Sequence, residues 1–197
     1  MNQTLSDAAL DQIFRAARTH NAFDRRPVTD SELKAIFDLM KWAPTSANGS
    51  PARFLFVRGA QAKQRLGPHL APGNAEKTMA APVTVIVGHD LEFYRRLDKL
   101  FPHEPGARAW FEGKSEHVRV TAFRNGTLQG AYFLIAARAL GYDCGPMSGF
   151  NNDGVDAEFF AGTSVRSNFL INLGHGDPDK LFPRSPRLDF AEACAIL

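Results

Sequence analysis

The segment EHVRVTAFRNGTLQGAYFLIAARALGYDCGPMSGF, residues Glu116–Phe150, decides the fold of this chain. Its first part mixes polar and apolar residues at helical spacing, and from Ala131 to Leu140 every residue except Arg138 is apolar. A helix that is hydrophobic nearly all round is a buried one, and Gly141 stands where a C-cap glycine ends such a helix. The sequence therefore predicts a long, buried central helix, followed after a short link by a tight loop at Gly145–Gly149.

Two glycines, Gly126 and Gly130, lie four residues apart and hence on one face of the predicted helix. Each glycine costs about 1 kcal/mol of helix stability relative to alanine, so this face is expected to approach another backbone closely. That backbone could belong to the same chain, or to a second copy whose helix crosses this one at a dimer interface. The two alternatives stay open on this evidence.

The composition is that of one ordinary domain, residues 1–197, with 44% hydrophobic residues and a net charge of +2. A nucleic-acid partner would require a basic stripe, which the sequence lacks. No apolar run reaches the length of a membrane span or a signal peptide. The two cysteines, Cys144 and Cys194, form no framework and fit a reducing compartment. We therefore expect a cytoplasmic protein without a membrane or nucleic-acid partner.

The remaining periodicities predict an α+β fold in which helices pack on one sheet. A first helix is expected to present Leu10, Ile13, Phe14 and Ala17 on its apolar face. Thr29 and Glu32 form a capping box for a second helix, expected to bury Leu33, Ile36, Phe37 and Met40. Three strands are predicted at Arg53–Val57, Val83–Val87 and Ser167–Leu173, and the uniformly apolar second one should be central. The aromatic-rich segment Phe101–Gly113 is expected to be irregular, as a lid over a pocket would be.

No familiar hydrolytic, metal or dinucleotide motif is present: the sequence has no HExxH, GxSxG, P-loop or GxGxxG, and its histidines lack metal-ligand spacing. What remains is a dispersed polar set. It comprises the helix end Arg18–Asn21, a proline-bracketed loop at Pro44–Asn48, the pair Asn74 and Lys77, the corner Gly145–Gly149, and the arginines Arg184 and Arg187. Arginines suit a phosphate because the planar guanidinium donates two parallel hydrogen bonds.

Several segments, taken together and in this order, resemble the FMN-dependent nitroreductase superfamily. They are ARTHNAF (17–23), KWAPTSANGSPARF (41–54), GNAEKT (73–78), APVTVIV (81–87), TAFRNGTLQGAYF (121–133), GPMSGF (145–150) and PRSPRLDFAEAC (183–194). Within that superfamily the chain is most similar to the malonic semialdehyde reductase branch, which serves bacterial pyrimidine breakdown.

The resemblance implies a nitroreductase-like fold with a central, mostly antiparallel sheet, and a homodimer with two FMN sites at the subunit interface. Arg18 and Arg184 would reach the phosphate, and the helix glycines would then lie at the dimer contact. The residues that the match implies for the cofactor site are Arg18, Thr19, His20, Asn21, Asn74, Lys77, Pro146, Met147, Ser148, Gly149, Arg184 and Arg187 from one subunit, and Pro44, Thr45, Ser46 and Asn48 from its partner.

The implied reaction passes hydride from NADPH or NADH to flavin N5, and then to the aldehyde carbon of malonic semialdehyde, which becomes 3-hydroxypropionate. The flavin carries the chemistry and the protein orients it, so no catalytic side chain is predicted. Ser148 stands where many members carry Glu, and Ser50 and Ala52 where many carry Gln and Trp; these departures favour the semialdehyde over nitroaromatic compounds. The acidic substrate predicts a nearby cation, with Lys77, Arg53 and Arg124 as candidates.

Two other functions remain compatible with the sequence. A protein of the same fold could reduce nitro compounds, quinones or another aldehyde. Alternatively, the chain could bind flavin without turnover, as a storage or sensing protein. The sequence does not choose between NADPH and NADH.

Overall fold

The structure, a computed structural model, describes residues 3–197. Helices and a single sheet confirm the predicted α+β class. The strands are β1 Ala52–Val57, β2 Val83–Asp90, β3 Asp143–Met147 and β4 Val165–Gly174, and the helices are α1 Asp7–Leu10, α2 Asp30–Met40, α3 Ala60–Leu66, α4 Pro72–Ala80, α5 Leu97–Leu100, α6 Ser115–Ala139, α7 Asn152–Phe159 and α8 Phe190–Ala193.

The four strands form one antiparallel sheet in the order β1-β2-β4-β3. Every residue of the inner strand β2 is buried, which confirms the prediction of a central strand at Val83–Val87. Successive side chains of a strand point to opposite faces. Val85 and Val87 accordingly pack in one core with α2 and α6, while Ile86 packs in a second core with Leu66 of α3 and Val155 of α7.

The predicted loop Gly145–Gly149 is wrong in its first half, because Asp143–Met147 forms the edge strand β3. Cys144 pairs with Leu173 of β4, and Pro146 pairs with Ile171. A proline is tolerated at a sheet edge, where its missing N–H faces away from the ladder. The chain leaves the sheet only after Met147, so Ser148 and Gly149 alone remain loop residues of the predicted set.

Helix α6 confirms the predicted long central helix but not its burial all round. Phe133, Ala136 and Ala137 are buried against the sheet. On the opposite face, the exposed fractions are 46% for Leu128 and 39% for Tyr132. The chain by itself therefore leaves one apolar face of α6 uncovered.

The glycine pair of α6 is explained within the monomer, so the expectation that it marks a helix–helix contact of the dimer is wrong. A Cβ atom at Gly126 would lie 2.9 Å from Cβ of His89, and one at Gly130 would lie 2.5 Å from the ring of Phe169. His89 belongs to β2 and Phe169 to β4. Both glycines thus let α6 lie close to its own sheet.

The start of α2 follows its capping box. The hydroxyl of Thr29 accepts a hydrogen bond from the backbone N–H of Glu32, and the Glu32 carboxylate accepts from the N–H of Thr29 at 2.6 Å. Leu33, Ile36 and Met40 are buried as predicted, whereas Phe37 is exposed. The prediction that Phe37 is buried is wrong because this residue lies between the apolar stripe and the solvent side of the helix.

The first helix is shorter than predicted and packs less. Helix α1 ends at Leu10 and continues as a π-helical turn over Asp11–Arg15, and neither segment contains a buried residue. Phe14, expected on a packed apolar face, is exposed. Phe14 lines a polar cavity instead of packing in the core.

The segment Phe101–Gly113 is irregular apart from a 3₁₀ turn at Ala107–Trp110. Phe111 and Ala107 are buried in a third core cluster with Phe93 and Val118. The packing of Phe111 fixes this segment to the body of the protein, which does not fit a freely moving lid. Within residues 3–197, no helix combines the length and the apolar character needed to cross a bilayer.

Candidate functional site

The segment after the first helix is held against the edge strand β3. Thr19 forms a parallel bridge with Cys144, and the backbone N–H of His20 donates to the carbonyl of Cys144 at 3.0 Å. The close approach requires Gly145, since a Cβ there would lie 2.3 Å from the carbonyl oxygen of His20. Glycine is the residue that permits such a contact between backbones.

His20 itself is buried, with 6% of the residue exposed. Its Nε2 lies 3.3 Å from a carboxylate oxygen of Asp143, and its ring fills the space above Gly176. The ring therefore supports the segment from beneath. The thiol of the neighbouring Cys144 is not a nucleophile, because burial raises its pKa to about 12.

The C-terminal tail returns to the first helix and closes a polar cavity of about 480 Å³. We call it the arginine cavity. It is lined by Phe14, Ala17, Arg18, Thr19, Asn21, Arg138, Phe182, Pro183, Arg184, Ser185 and Arg187.

Backbone carbonyls hold the arginines of this cavity in place. Arg18 donates to the carbonyl of Phe182, and Arg184 donates to those of Arg15 and Ala17 at 2.9 and 3.0 Å. Among the described residues, Arg187 donates only to carbonyls of its own segment. These contacts tie tail and helix together and leave the positive charges without a counterion.

No carboxylate lines the arginine cavity, and in the described part of the chain none of its four arginines forms a salt bridge. Four like charges around one cavity repel one another unless an anion is present. The arrangement fits a dianionic group such as a phosphate, which guanidinium groups bind with paired hydrogen bonds.

Helix α4 joins this cavity to the loop after β3. Its Asn74 donates from Nδ2 to the carbonyl of Gly149 at 2.8 Å, and its Lys77 lies with Nζ 3.2 Å from Oδ1 of Asn21. The structure thus brings together four predicted groups: the 18–21 segment, the Asn74 and Lys77 pair, the 146–149 segment, and Arg184 with Arg187.

The loop Pro44–Asn48 lies elsewhere in the single chain. The N–H of Ser46 donates to Asn125 of α6 at 2.8 Å, and Asn48 donates to the carbonyl of Leu100 at 2.7 Å. No residue of this loop lines the arginine cavity. Ala47 and Asn48 have positive φ angles of 51° and 49°, a strained backbone conformation of the kind that clusters at functional sites.

The three candidate cations for an acidic substrate have different surroundings. Arg53 forms a salt bridge with the buried carboxylate of Asp90 at 2.5 Å, so its charge is already neutralised. Arg124 lies on the exposed side of α6. Of the three, only Lys77 lies beside a residue of the arginine cavity, Asn21, whereas Arg53 lines a separate cavity with Asn48.

A buried polar network supports α4 from behind. Lys63 of α3, with 4% of the residue exposed, donates to the carbonyl of Thr78 at 2.6 Å and to the hydroxyl of Thr84 at 2.5 Å. Thr84 donates in turn to Asn172, and the Thr78 hydroxyl lies 3.4 Å from the sulfur of Met147. Burial lowers the pKa of Lys63 to about 8.

Arg138 is a residue of the cavity that the sequence patterns did not reveal. It is the only charged residue in the apolar run Ala131–Leu140, which by itself gives it no role. Its place in the arginine cavity depends on the fold of the C-terminal tail, and the helical pattern of α6 carries no information about that tail.

Comparison with known proteins decides the family. The family model described as "Nitroreductase family" matches residues 14–175. The chain belongs to the nitroreductase family. This makes it an oxidoreductase of that family, and it confirms the resemblance found in the sequence motifs.

Relatives match this chain over all or nearly all of its length. A Cupriavidus pinatubonensis protein is 61% identical over 95% of this chain and 96% of its own. Ralstonia pickettii HadB is 57% identical, with 100% of both chains covered. Both carry the provisional name NADH dehydrogenase/NAD(P)H nitroreductase.

Solved structures agree with the fold. A Bacillus subtilis nitroreductase-family structure superposes with a TM-score of 0.88 at 20% identity, covering 98% of this chain and 100% of the other. An Exiguobacterium sibiricum structure described as a complex with FMN gives 0.87 at 20% identity, with full coverage of both chains. The predicted nitroreductase-like fold is confirmed.

Proposed function

We propose that this protein is an FMN-dependent NAD(P)H oxidoreductase that reduces malonic semialdehyde to 3-hydroxypropionate. The observation that supports the cofactor is the arginine cavity, whose four guanidinium groups form no salt bridge among the described residues and fit a phosphate. The FMN complex of a structural neighbour and the family match support the same cofactor.

The residues present fit FMN from end to end. Arg18, Arg184 and Arg187 would hold the phosphate, with Asn21 and Lys77 next along the site. Asn74 and the loop residues Ser148 and Gly149 would hold the ring end, because the contact between Asn74 and Gly149 fixes α4 against this loop. The bound flavin would accept hydride from NAD(P)H and donate it to the second substrate.

The protein's own contribution is binding, orientation and charge. Backbone hydrogen bonds to neutral carbonyls fix the arginines before the anion arrives, so little rearrangement is needed on binding. Lys77 supplies a cation for the carboxylate of the semialdehyde. Quinones and simple aldehydes lack this negative charge.

We also propose that the active form is a homodimer. Leu128 and Tyr132, together with Phe123 at 49% exposed, form an apolar face on α6 that the single chain leaves uncovered. The loop Pro44–Asn48, which lies apart from the arginine cavity in one chain, would reach the cofactor of the partner across this face. The dimer thereby completes a site that one subunit holds only in part.

A steady-state comparison of electron acceptors tests the substrate. We expect kcat/KM with NADPH or NADH to be higher for malonic semialdehyde than for propionaldehyde, a quinone or a nitroaromatic compound. With FMN saturating, Lys77→Met should raise KM for malonic semialdehyde by a larger factor than KM for the quinone, and the exposed Lys34→Met should change neither.

The main rival is a nitro- or quinone-reducing enzyme, which the names of the relatives favour. A higher kcat/KM for nitro compounds or quinones than for the semialdehyde would establish that function instead. It would leave the proposed cofactor site untouched.

A further inference from the structure

Arg138 stands in the last turn of α6, and its guanidinium lines the arginine cavity together with Arg18 and Arg184. Its Nε is buried and has no hydrogen-bond partner in the described part of the chain. The only hydrogen bond of its side chain there is a long one, from Nη1 to the carbonyl of Ile13 at 3.4 Å.

Arg138 is half-buried, and a buried donor such as its Nε is nearly always paired in a folded protein. Two other cations have partners: half-buried Arg53 pairs with Asp90, and buried Lys63 donates to two oxygens. A cation at a helix C-terminus gains some stability from the helix dipole, but this gives Nε no acceptor. The Arg138 side chain lines the cavity with one long hydrogen bond and, among the described residues, no salt bridge, which points to a ligand oxygen.

We propose that Arg138 is a phosphate-binding residue of the cofactor site, and that it makes the affinity of this site depend on the phosphate of FMN. The inference rests on the proposed function. In it, the two terminal nitrogens of Arg138 donate as a planar pair from the helix side of the cavity. Arg18, Arg184 and Arg187 approach from the first helix end and the tail.

Under this proposal, cofactor binding would also strengthen the contact between the end of α6 and the first helix. Arg138 joins the end of the central helix to the carbonyl of Ile13, and the carbonyls of Arg138 and Ala139 accept from the amide of Gln12. Phosphate bound by Arg138 would therefore fix the π-helical turn Asp11–Arg15 to the end of α6. The four repelling charges would be neutralised in the same event.

The test compares dissociation constants of apoprotein for FMN and for riboflavin, which lacks the phosphate, by quenching of flavin fluorescence. Wild type should bind FMN more tightly than riboflavin. Arg138→Gln keeps a polar side chain at this position but removes the charge. It should weaken FMN binding roughly 10- to 100-fold, the usual effect of losing a charge-assisted hydrogen bond, while riboflavin binding changes less than about twofold.

The matched control is Arg25→Gln, which removes an exposed arginine outside the cavity and should change neither affinity. Arg138→Lys serves if the glutamine variant does not fold: it keeps the charge, loses the planar pair, and should show an intermediate loss for FMN alone. Inorganic phosphate gives a second probe, since it should raise the Tm of wild-type apoprotein more than that of either Arg138 variant.

The outcomes separate the inference from the function it rests on. Equal weakening of FMN and riboflavin, or no weakening of either, would overturn the role of Arg138 while leaving an FMN enzyme. A wild type that binds riboflavin as tightly as FMN would overturn the arginine cavity as the phosphate site. A wild type that binds no flavin would overturn the proposed function together with the inference.

Discussion

The side-chain amide of Asn74 donates to the carbonyl oxygen of Gly149 at 2.8 Å, and so joins helix α4 to the loop that leaves the edge strand. The two are packed so closely that a Cβ at Gly149 would lie 2.5 Å from Nδ2 of Asn74. The backbone N–H of Ala71 donates to the same carbonyl at 3.1 Å. The position of the loop beside the proposed flavin ring is therefore set by the start of α4.

Replacing Asn74 with alanine should loosen this loop and weaken the binding of the flavin. One of the two hydrogen bonds to the Gly149 carbonyl is lost, a net effect of about 1 kcal/mol, so we expect the Kd for FMN to rise roughly fivefold to tenfold. Riboflavin affinity should fall by the same factor, because Asn74 acts at the ring end. Glu76→Ala on the exposed side of α4 is the control. Unchanged flavin affinity in Asn74→Ala would show that the loop does not depend on this contact.

Gly130→Ala tests the explanation of the helix glycines. The new methyl group would meet the ring of Phe169 at 2.5 Å, and overpacking of this kind costs about 1–3 kcal/mol against a helix-propensity gain of about 1 kcal/mol. We expect a lower Tm with no change in oligomeric state. Gly73→Ala in α4, where an added Cβ would meet nothing within 4 Å, is the matched control and should keep or slightly raise the wild-type Tm. A Gly130→Ala variant that is stable but monomeric would show that the glycines lie at the dimer interface.

The free energy of unfolding should depend on the protonation of Lys63 at alkaline pH. Its pKa is about 8 in the fold, whereas an unperturbed lysine has a pKa of 10.5, so between these values the unfolded chain binds more protons than the folded one. Stability rises with pH wherever that holds. Lys63 should therefore add stability as pH increases through this window, by at most about 3 kcal/mol.

The measurement is urea unfolding of wild type and Lys63→Met at several pH values from neutral to 10.5, the upper limit being the pKa of an unperturbed lysine. Other lysines and tyrosines titrate in both proteins, so the difference between the two carries the effect of Lys63. That difference should move in favour of wild type as pH rises. A constant difference would mean that the amine keeps its ordinary pKa despite its burial.

Leu128→Glu tests the dimer. A carboxylate at the centre of the exposed face of α6 would be buried without a partner in the complex, which opposes association. Sedimentation should show a dimer for wild type and a monomer for the variant, with reduced FMN occupancy because the Pro44–Asn48 loop of the partner is lost. Leu5→Glu adds the same charge at an exposed leucine of the N-terminal segment and should remain dimeric. A wild-type protein that sediments as a monomer would contradict the proposed interface.

Local patterns predicted the elements whose causes are local. The run Val83–Val87 indicates a central strand because both of its faces are buried. The pair Thr29 and Glu32 marks the start of α2 because a capping box acts within one helical turn. Family motifs, rather than periodicity, indicated Arg18, Asn74 and Lys77.

The features that were missed depend on contacts between distant parts of the chain. Strand β3 contains glycine and proline, which disfavour strands, and it forms because β4 and Thr19 pair with it. In the sequence, Arg138 resembles an ordinary helical arginine. Its role depends on the tail at Phe182–Arg187, which lines the same cavity. The uncovered face of α6 likewise follows from the packing of one side of the helix, which a uniformly apolar run does not specify.

The central claim is that hydride passes from NAD(P)H through bound FMN to malonic semialdehyde. Its most direct test is the visible absorption spectrum of the purified protein under anaerobic conditions, recorded before and after NADPH or NADH, and again after malonic semialdehyde. We predict flavin bands that bleach with the nicotinamide and return with the aldehyde. Bands that bleach but stay bleached with the aldehyde would contradict the proposed substrate, and a protein that shows no flavin bands even after incubation with excess FMN would contradict the cofactor site itself.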